Sequence, residues 1–550
     1  MHRVDNGSVT SARRPGPGPK GAGARPFSRR DPATYPDHVL PVRLLLAALG
    51  GLALLLAFPG YDIWPLAIVG PLALALATAG ARPATGLLAG FLLGLTWYTP
   101  MFTWAGTYAG PWPWLAMSAA SALYPAALGG VLAVLQRHGA VRPVVGAAAW
   151  VLMEYARSVT PFGGFPWGSL AFSQGDSPLL GAVAWVSVLG LGFLVALVGG
   201  LVARAVQVGL SRGGGSPGQR RRALGLVVLA VALVLAPVLL PRPTDGPTVR
   251  VAAVQGDLPE GFTRTLSAER GAMLQPYLEG TGELAREIEA GRAERPDLVL
   301  WPEGASDLDP VAPGTGEETV SRIQDVVDDV GAPLLFGATS RTEQGVPRNM
   351  VYGLDPGEGL VSDYQKVYLA PFGEFMPLRP LMRHLSPWVD RIPDWDAGED
   401  PGIVPVDLPD GRQVSVGVAI CFENVMDRAT RDLALGGAEL VIVPTSNAWF
   451  GDGHQSVEHL GISRVRAVEL GRSVVHISNV GVSGLITPDG TVHERSELFT
   501  EALLEGELPL RERTTAAVHV GPWVPPAALL LVLTGLVTAW RRGGADRPAG

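Results

Sequence analysis

The sequence predicts a multi-pass α-helical membrane bundle of about eight spans joined to an α/β domain. Three observations predict it. Charged residues make up 17% of the chain and hydrophobic residues 47%, whereas an ordinary soluble domain carries about 25% charged residues. The apolar residues gather into runs of about 20, the length a bilayer crossing requires. Between residues 245 and 515 the long runs give way to short β-branched runs alternating with helix-like stretches, the pattern of buried strands flanked by helices.

Residues 1–38 are rich in Arg, Pro, Gly and Ser and read as a disordered cytoplasmic tail. Candidate spans follow at roughly 40–58, 63–81, 84–104, 113–135, 141–158, 179–206 and 222–241, with an eighth near 523–540. Pro59, Gly60 and Pro65 crowd the junction of the first two, which could instead form one broken hairpin. Because further spans follow the first run, it reads as a retained anchor and not a cleaved signal. The expected organisation is a tail at 1–38, a bundle of seven spans at 39–243, an α/β domain at 244–515, an eighth span at 520–541 and a short tail at 542–550.

Positive residues orient the spans, because cytoplasmic loops carry an excess of Lys and Arg. Arg25, Arg29, Arg30 and Arg43 precede the first span. Arg82, then Arg137 and Arg142, then Arg204, Arg212, Arg220, Arg221 and Arg222 follow the second, fourth and sixth. Arg541 and Arg542 follow the eighth. With eight spans all fall on one side. The opposite loops are aromatic, with Trp104, Tyr108, Trp112, Trp114, Phe162, Phe165 and Trp167. This parity predicts a plasma-membrane protein with cytoplasmic termini and residues 244–515 outside.

The single cysteine excludes an internal disulfide and any multi-cysteine metal centre, and the nine histidines show no close metal-ligand spacing, so no metal or other cofactor is expected. The net charge of -8 comes mostly from residues 250–512. No long basic tract with interleaved aromatics lies beyond the N-terminal tail, which argues against nucleic acid as a partner.

Strand-like runs in the α/β segment are 249–254, 298–301, 333–337, 414–420, 440–444 and 474–478; helix-like stretches include 266–291, 316–330 and 456–471. Three strand ends carry chemistry. Leu300-Trp301-Pro302-Glu303-Gly304 sets a carboxylate between Pro and Gly; alone, a surface turn is the commoner explanation. Lys366 lies among apolar and aromatic residues ahead of Glu374 in a Gly- and Pro-rich loop, and a lone Lys there is usually a snorkelling surface chain. Cys421 ends the run Val414–Ile420, and an isolated Cys is usually a core residue. Together they supply a thiol, a carboxylate able to take its proton and a cation for thiolate and oxyanion.

The motifs WPEG, YQKVYLAPFGEFMP and GVAICFE resemble the Glu–Lys–Cys triad of the nitrilase superfamily. With about eight spans around them, the chain resembles the apolipoprotein N-acyltransferase family from about residue 40 to 540. Further matches are Val254 to Asp257, Asn447 to Gly451, Arg464 to Arg472, Ser478 to Gly484 and Gly164 to Trp167.

The resemblance implies an extracytoplasmic nitrilase-like αββα sandwich and a two-step reaction. Glu303 would be the base and Cys421 the nucleophile that takes an acyl chain from a membrane phospholipid. The α-amine of a diacylglyceryl-cysteine at an apolipoprotein N-terminus would then attack the thioester. Lys366 would stabilise the tetrahedral intermediates with a backbone N–H near Phe422. Glu374 and Glu423 would be further active-site acids, Trp449 would lie near the lipid entrance, and Asn447 and Asn479 would be supporting residues. A monomer without cofactors is expected, with a mobile lid near 372–400.

The chain departs from the family pattern at Phe422, where Tyr is usual, at Ser446-Asn447 in place of Asn-Asp, and at Asp257 in place of Asn. Arg464, Arg466 and Arg472 are expected to form helix ion pairs, with a headgroup contact as the alternative, and Glu154 and Arg157, near the end of the fifth span, are read equally as a functional site or an internal pair. The alternatives are a membrane-anchored nitrilase-type amidase acting on a small amide, which would need no spans, and a transporter or scaffold, which would leave Glu303, Lys366 and Cys421 without a role.

Overall fold

The structure is a computed structural model and describes residues 39–107, 110–210, 216–257, 271–384 and 387–545. The expected tail at 1–38 with Arg25, Arg29 and Arg30 lies outside the described residues, as do Tyr108, Arg212, residues 266–270 and 385–386, and the tail from 546 on.

The first part of the chain is helical: α1 (Leu40–Ala57), α2 (Val69–Thr78), α3 (Pro83–Met101), α4 (Pro111–Leu135), α5 (Pro143–Val159), α6 (Val183–Leu210) and α7 (Pro217–Leu235). Four of these begin on proline, whose fixed φ suits the first helical turn and whose missing N–H costs nothing there. Among the described residues, five helical segments are long and apolar enough to cross a membrane: Leu40–Ala57, Pro111–Leu135, Leu180–Leu210, Pro217–Leu239 and Ala516–Arg541.

Three of the expected spans are therefore less regular than the hydropathy pattern implies. The one at 63–81 breaks into a 3₁₀ turn at Trp64–Ile68 and the ten-residue α2. The ones at 84–104 and 141–158 are helical as α3 and α5, diluted by glycine in the first and by Glu154 and Arg157 in the second.

Small residues set the closest packing in the bundle. Gly86, Gly90 and Gly94 recur every four residues and put one smooth stripe of α3 against Ala122, Pro125 and Gly129 of α4. A Cβ on Gly90 would sit 2.0 Å from the carbonyl oxygen of Pro125. Such stripes drive helix association where no hydrophobic effect separates helix from lipid.

The α/β part has two six-stranded sheets. The first is ordered β12-β1-β2-β3-β4-β5 and the second β11-β10-β9-β8-β7-β6. Their strands are β1 (Thr248–Gln255), β2 (Leu298–Leu300), β3 (Leu334–Arg341), β4 (Pro347–Asp355), β5 (Gly359–Gln365), β6 (Ile403–Asp407), β7 (Gln413–Val418), β8 (Leu440–Thr445), β9 (Ser473–Ser478), β10 (Gly484–Ile486), β11 (Val492–Arg495) and β12 (Ala502–Pro509). The centre of each sheet is parallel, β1-β2-β3 and β7-β8-β9, and the edges are antiparallel.

Alternating side chains explain the layers, because successive strand residues face opposite sides. Leu298 and Leu300 of β2 meet Leu440 and Ile442 of β8 in a core between the sheets. Val299 faces helices α8 (Gln275–Glu289) and α9 (Gly316–Val330), while Val441 and Val443 face α10 (Asp427–Leu435) and α11 (Gln455–Leu470). The order of layers is helix, sheet, sheet, helix. Strands β5, β6, β11 and β12 lack the continuous apolar run that marks a doubly covered strand, and β4 carries only a short one; their sequences do not announce them. The chain closes with α12 (Val524–Ala545).

The helical part and the sandwich share one apolar core. Phe422, Val425 and Met426 beyond β7, with Ile462, Val465 and Val468 of α11, pack into the cluster built from Trp97, Trp150, Leu170 and Phe172. Beside it, α6 is broken at Ser187 (φ 67°, ψ 175°), and the buried Val188 N–H donates to Glu469 of α11 at 2.9 Å.

Replacing Gly90 with Leu should destabilise the protein by about 1–3 kcal/mol or more through overpacking against α4. Gly225→Ala on α7, where a Cβ meets nothing within 4 Å, should be neutral or slightly stabilising. Thermal unfolding in detergent checks both; equal melting temperatures would refute the packing assignment.

Candidate active site

Glu303, Lys366 and Cys421 each leave the end of a strand, β2, β5 and β7 respectively, on the same edge of the sandwich. Cys421 is the strained member: its φ is 51°, a left-handed conformation that non-glycine residues adopt at a cost of order 1–3 kcal/mol. It opens the 3₁₀ turn Cys421–Val425, so the thiol stands on a sharp strand-to-turn elbow and is partly exposed. Glu303 lies against β3 at Gly337, where a Cβ would come within 2.7 Å of the Glu303 Cα.

Lys366 is buried, and its ammonium is 2.9 Å from Glu374 and 3.7 Å from Glu303. Asn349 ties the carboxylates together. Its amide donates to Glu303 Oε1 at 2.7 Å and to Glu374 Oε1 at 2.9 Å, and its carbonyl accepts the Lys366 N–H at 2.9 Å. The Ser446 N–H donates to Glu303 Oε2 at 2.7 Å, and the Ala370 N–H to Glu374 Oε2 at 2.7 Å.

The charges balance so that the thiol rests neutral. Burial opposes the charge on Lys366, but Glu374 and Glu303 outweigh it and hold the ammonium above its ordinary range. Burial raises the Glu303 carboxyl, against the pull of Lys366, which makes it a better proton acceptor near neutral pH. Burial, then the Glu303 charge, pushes the Cys421 thiol up to about 12. A neutral thiol beside a raised carboxylate and a fixed cation can attack an acyl carbon while passing its proton on.

The remaining expected site residues divide. Glu374 is at the centre. Glu423 is not open to substrate: it is buried, and it accepts hydrogen bonds from the Tyr364 hydroxyl (2.9 Å) and from the N–H groups of Val367 (2.9 Å), Tyr368 (3.0 Å) and Ile420 (2.8 Å). Its role is to hold the strand ends. Asn447 is spent on Gln455 and Ser478, both at 2.7 Å, and Asn479 donates to the Ser446 hydroxyl at 2.9 Å. Both brace the loop after β8.

Trp449 is exposed on the 3₁₀ turn Ala448–Phe450, whose Phe450 ring meets Trp104 edge-on at 5.0 Å. Phe422 stacks on Phe165 of the bundle at 6.1 Å. It also lines a cavity of about 410 Å³ with Phe162, Tyr368, Phe375, Trp395 and Met426. Val367, Phe375 and Phe422, the chain neighbours of Lys366, Glu374 and Cys421, all face this apolar space.

Asn349, Tyr364, Thr445 and His459 were not picked out by sequence. The signal for Asn349 is an amide heading the apolar run Met350–Tyr352; Tyr364 opens the motif that holds Lys366, Thr445 follows the strand-like run 440–444, and His459 lies in the helix-like stretch 456–471. Arg466 forms the expected ion pairs, with Asp427 and Glu469, and Arg464 pairs with Asp176 instead of a helix neighbour.

Two expectations fail. Arg472 donates only to backbone carbonyls, those of Ala438, Leu470, Gly471, Glu512 and Arg513, because it closes the end of α11 against the last strand's exit. Glu154 and Arg157 bond the 165–170 loop and not each other: Glu154 accepts the Leu170 N–H at 2.8 Å, and Arg157 donates to the carbonyls of Phe165 and Trp167. Among the described residues no three His, Cys, Asp or Glu side chains are grouped to hold a metal ion.

Two family models match the chain: the apolipoprotein N-acyltransferase N-terminal domain over residues 50–201 and carbon-nitrogen hydrolase over residues 250–517. The apolipoprotein N-acyltransferase of Mycolicibacterium smegmatis is 33% identical over 91% of this chain and 85% of that protein. That of Geobacter metallireducens is 29% identical over 85% of this chain and 89% of that protein. Among solved structures, an amidase from Nesterenkonia sp. aligns with 48% of this chain and 92% of its own at 22% identity and a TM-score of 0.35.

One buried acid at the site's edge has a measurable signature. Glu458 of α11 accepts a bond from the Trp167 indole at 2.6 Å, and burial pushes its carboxyl up to about 8. The folded protein then holds a proton there that the unfolded chain releases, so stability falls as pH rises from the ordinary carboxylate range through about 8. Glu458→Gln should melt higher than the wild type at about pH 8 and converge with it near pH 5. A gap independent of pH would refute the assignment.

Proposed function

The chain belongs to the apolipoprotein N-acyltransferase family, and on that premise we propose that Cys421 relays one acyl chain from a membrane phospholipid to the N-terminal amine of a diacylglyceryl apolipoprotein. The observation that carries this is the apolar cavity running from Phe162, Gly163 and Gly164 of the bundle side to Phe422, the residue after the thiol. An acyl chain seated there lies against Val367, Phe375 and Phe422, the chain neighbours of Lys366, Glu374 and Cys421.

In the first step Glu303 takes the thiol proton as the sulfur attacks the ester carbonyl carbon. Lys366, held by Glu374 and Asn349, faces the developing oxyanion with the Phe422 backbone N–H. Collapse breaks the ester bond, the leaving alkoxide takes the proton from Glu303, and a lysophospholipid departs from the thioester. In the second step the lipoprotein α-amine attacks the thioester carbon, Glu303 takes the amine proton, and the sulfur leaves and recovers it. A positioned base typically contributes about 10²–10⁴-fold and an oxyanion donor about 10²–10³-fold.

The organisation that goes with this chemistry is an eight-span bundle with both termini cytoplasmic and residues 244–515 on the outer face, next to the lipid leaflet where lipoproteins mature. Arginines on one side of the spans and aromatic loops on the other support it. Phe162 and Phe372, whose rings meet edge-on at 6.1 Å, form a gate between the bundle loop and the segment 372–400. An amidase acting on a small soluble amide would have no use for an apolar cavity shared with the loop that follows α5.

Cys421→Ala and Cys421→Ser should insert and fold normally yet leave lipoproteins diacylated. Mass spectrometry of lipoprotein N-termini in cells carrying each variant reads this directly; continued triacylation would sink the proposal. A membrane-impermeant thiol reagent should label Cys421 in intact cells, and labelling only after lysis would refute the outward topology.

A further inference from the structure

Two adjacent residues at the end of β8 reach opposite halves of the site. The Ser446 N–H holds Glu303. The Thr445 hydroxyl, fully buried, lies 3.2 Å from Cys421 Sγ and 3.4 Å from His459 Nδ1. A hydroxyl has one proton to donate, so it serves one of these two acceptors at a time.

His459 determines which acceptor is free. Its Nε2 is 3.1 Å from the Cys421 carbonyl oxygen, and a carbonyl only accepts, so Nε2 carries the proton and Nδ1 is left as an acceptor. The ring stays neutral: burial, against the Cys421 carbonyl bond and with the Lys366 charge, lowers it to about 4. Trp167 of the bundle at 5.4 Å and His476 at 4.7 Å hold it in place.

We propose that Thr445 is a further catalytic residue, whose hydroxyl donates to the sulfur of Cys421 and strengthens that bond as the thiolate develops. At rest the hydroxyl already donates to the sulfur at 3.2 Å, with the imidazole nitrogen its second neighbour at 3.4 Å. As the S–H bond breaks, the proton goes to Glu303, the sulfur gains charge, and the bond from the Thr445 O–H tightens while the hydroxyl keeps its own proton. That bond stabilises the sulfur while it attacks and again when it leaves in the second step. The other groups that act on the sulfur are Glu303, Lys366 and Glu374; Glu374 is held by Lys366 and Asn349, and Glu303 gives up the transferred proton to the leaving group, so the hydroxyl and the ammonium are the donors that stay with the sulfur. His459 is a positioning residue, fixing the elbow through the Cys421 carbonyl and flanking the Thr445 hydroxyl with its Nδ1.

The proposal rests on Cys421 as nucleophile, and the test separates the two. Because Cys421 is the only cysteine, iodoacetamide alkylation of the purified full chain in detergent reads that thiol alone. Thr445→Val should lower the alkylation rate by roughly tenfold in parallel across the pH range and lower kcat/KM for thioester formation from phospholipid vesicles by roughly 10- to 100-fold. Thr445→Ser, which keeps the hydroxyl, should restore both to within about threefold. Thr445→Ala carries the same expectation as valine and replaces it if the valine variant does not accumulate. Wild-type rates in the valine or alanine variant, or a serine variant as slow as either, would overturn the role of the hydroxyl. If alkylated wild-type enzyme still transfers acyl chains, the assignment of the nucleophile fails instead.

Discussion

The Glu423 carboxylate joins the two sheets at the site. One oxygen accepts the N–H groups of Val367 and Tyr368, beyond β5 of the first sheet; the other accepts the Ile420 N–H, beyond β7 of the second. The Tyr364 phenol closes the cluster at 2.9 and 3.0 Å. These donors sit one or two residues from Lys366 and Cys421, so one buried anion sets the separation of cation and thiol. Burial raises its carboxyl while Lys366 and the surrounding donors pull against that rise. Losing it would leave several buried N–H groups unpaired, each costing about 1–3 kcal/mol. The left-handed backbone of Cys421 is tolerated because its neighbours on both sides are tied down.

The bundle is part of the site's construction as well as its anchor. Glu154 and Arg157, buried within α5, both bond the backbone of the 165–170 loop, Glu154 also accepting from the Trp150 indole. That loop presents Phe165 to Phe422 and Trp167 to Glu458 and His459. From the sandwich side, Arg466 reaches the Phe172 ring at 5.4 Å and bonds the carbonyls of Asn424 and Val425 just after the elbow. Charged residues that look like membrane-embedded ion pairs therefore act as clamps on irregular backbone, the one place where such backbone needs internal partners.

Much of the site was legible in the sequence because strand ends are conspicuous: an apolar β-branched run stopping at Glu303 or Cys421 marks both the strand and the exposed group. The parallel central strands were legible for the same reason. The edge strands were not, since β5, with the sequence GLVSDYQ, is half polar and differs little from a loop. The network behind the triad was illegible because it depends on contacts between distant segments. Asn349 meets Glu303 across 46 positions and Glu374 across 25, and no local pattern encodes that meeting. Glu423 was visible as a residue beside the nucleophile, but adjacency in sequence suggested a chemical role where the fold gives it a structural one. The spans at 63–81, 84–104 and 141–158 were blurred by the same glycine and ionisable residues that do the packing and clamping.

The apolar core shared by the bundle and the sandwich bears on how the molecule is made. Phe422, Val425, Met426, Ile462, Val465 and Val468 finish their packing against the helical part of the chain, most of which precedes them. A sandwich severed from those helices would present this surface to water, with the elbow unsupported. The turn that carries Cys421 is thus finished only where the sandwich is seated on the helices. A sandwich parted from them keeps its three strand ends but loses the support behind the one that bears the thiol.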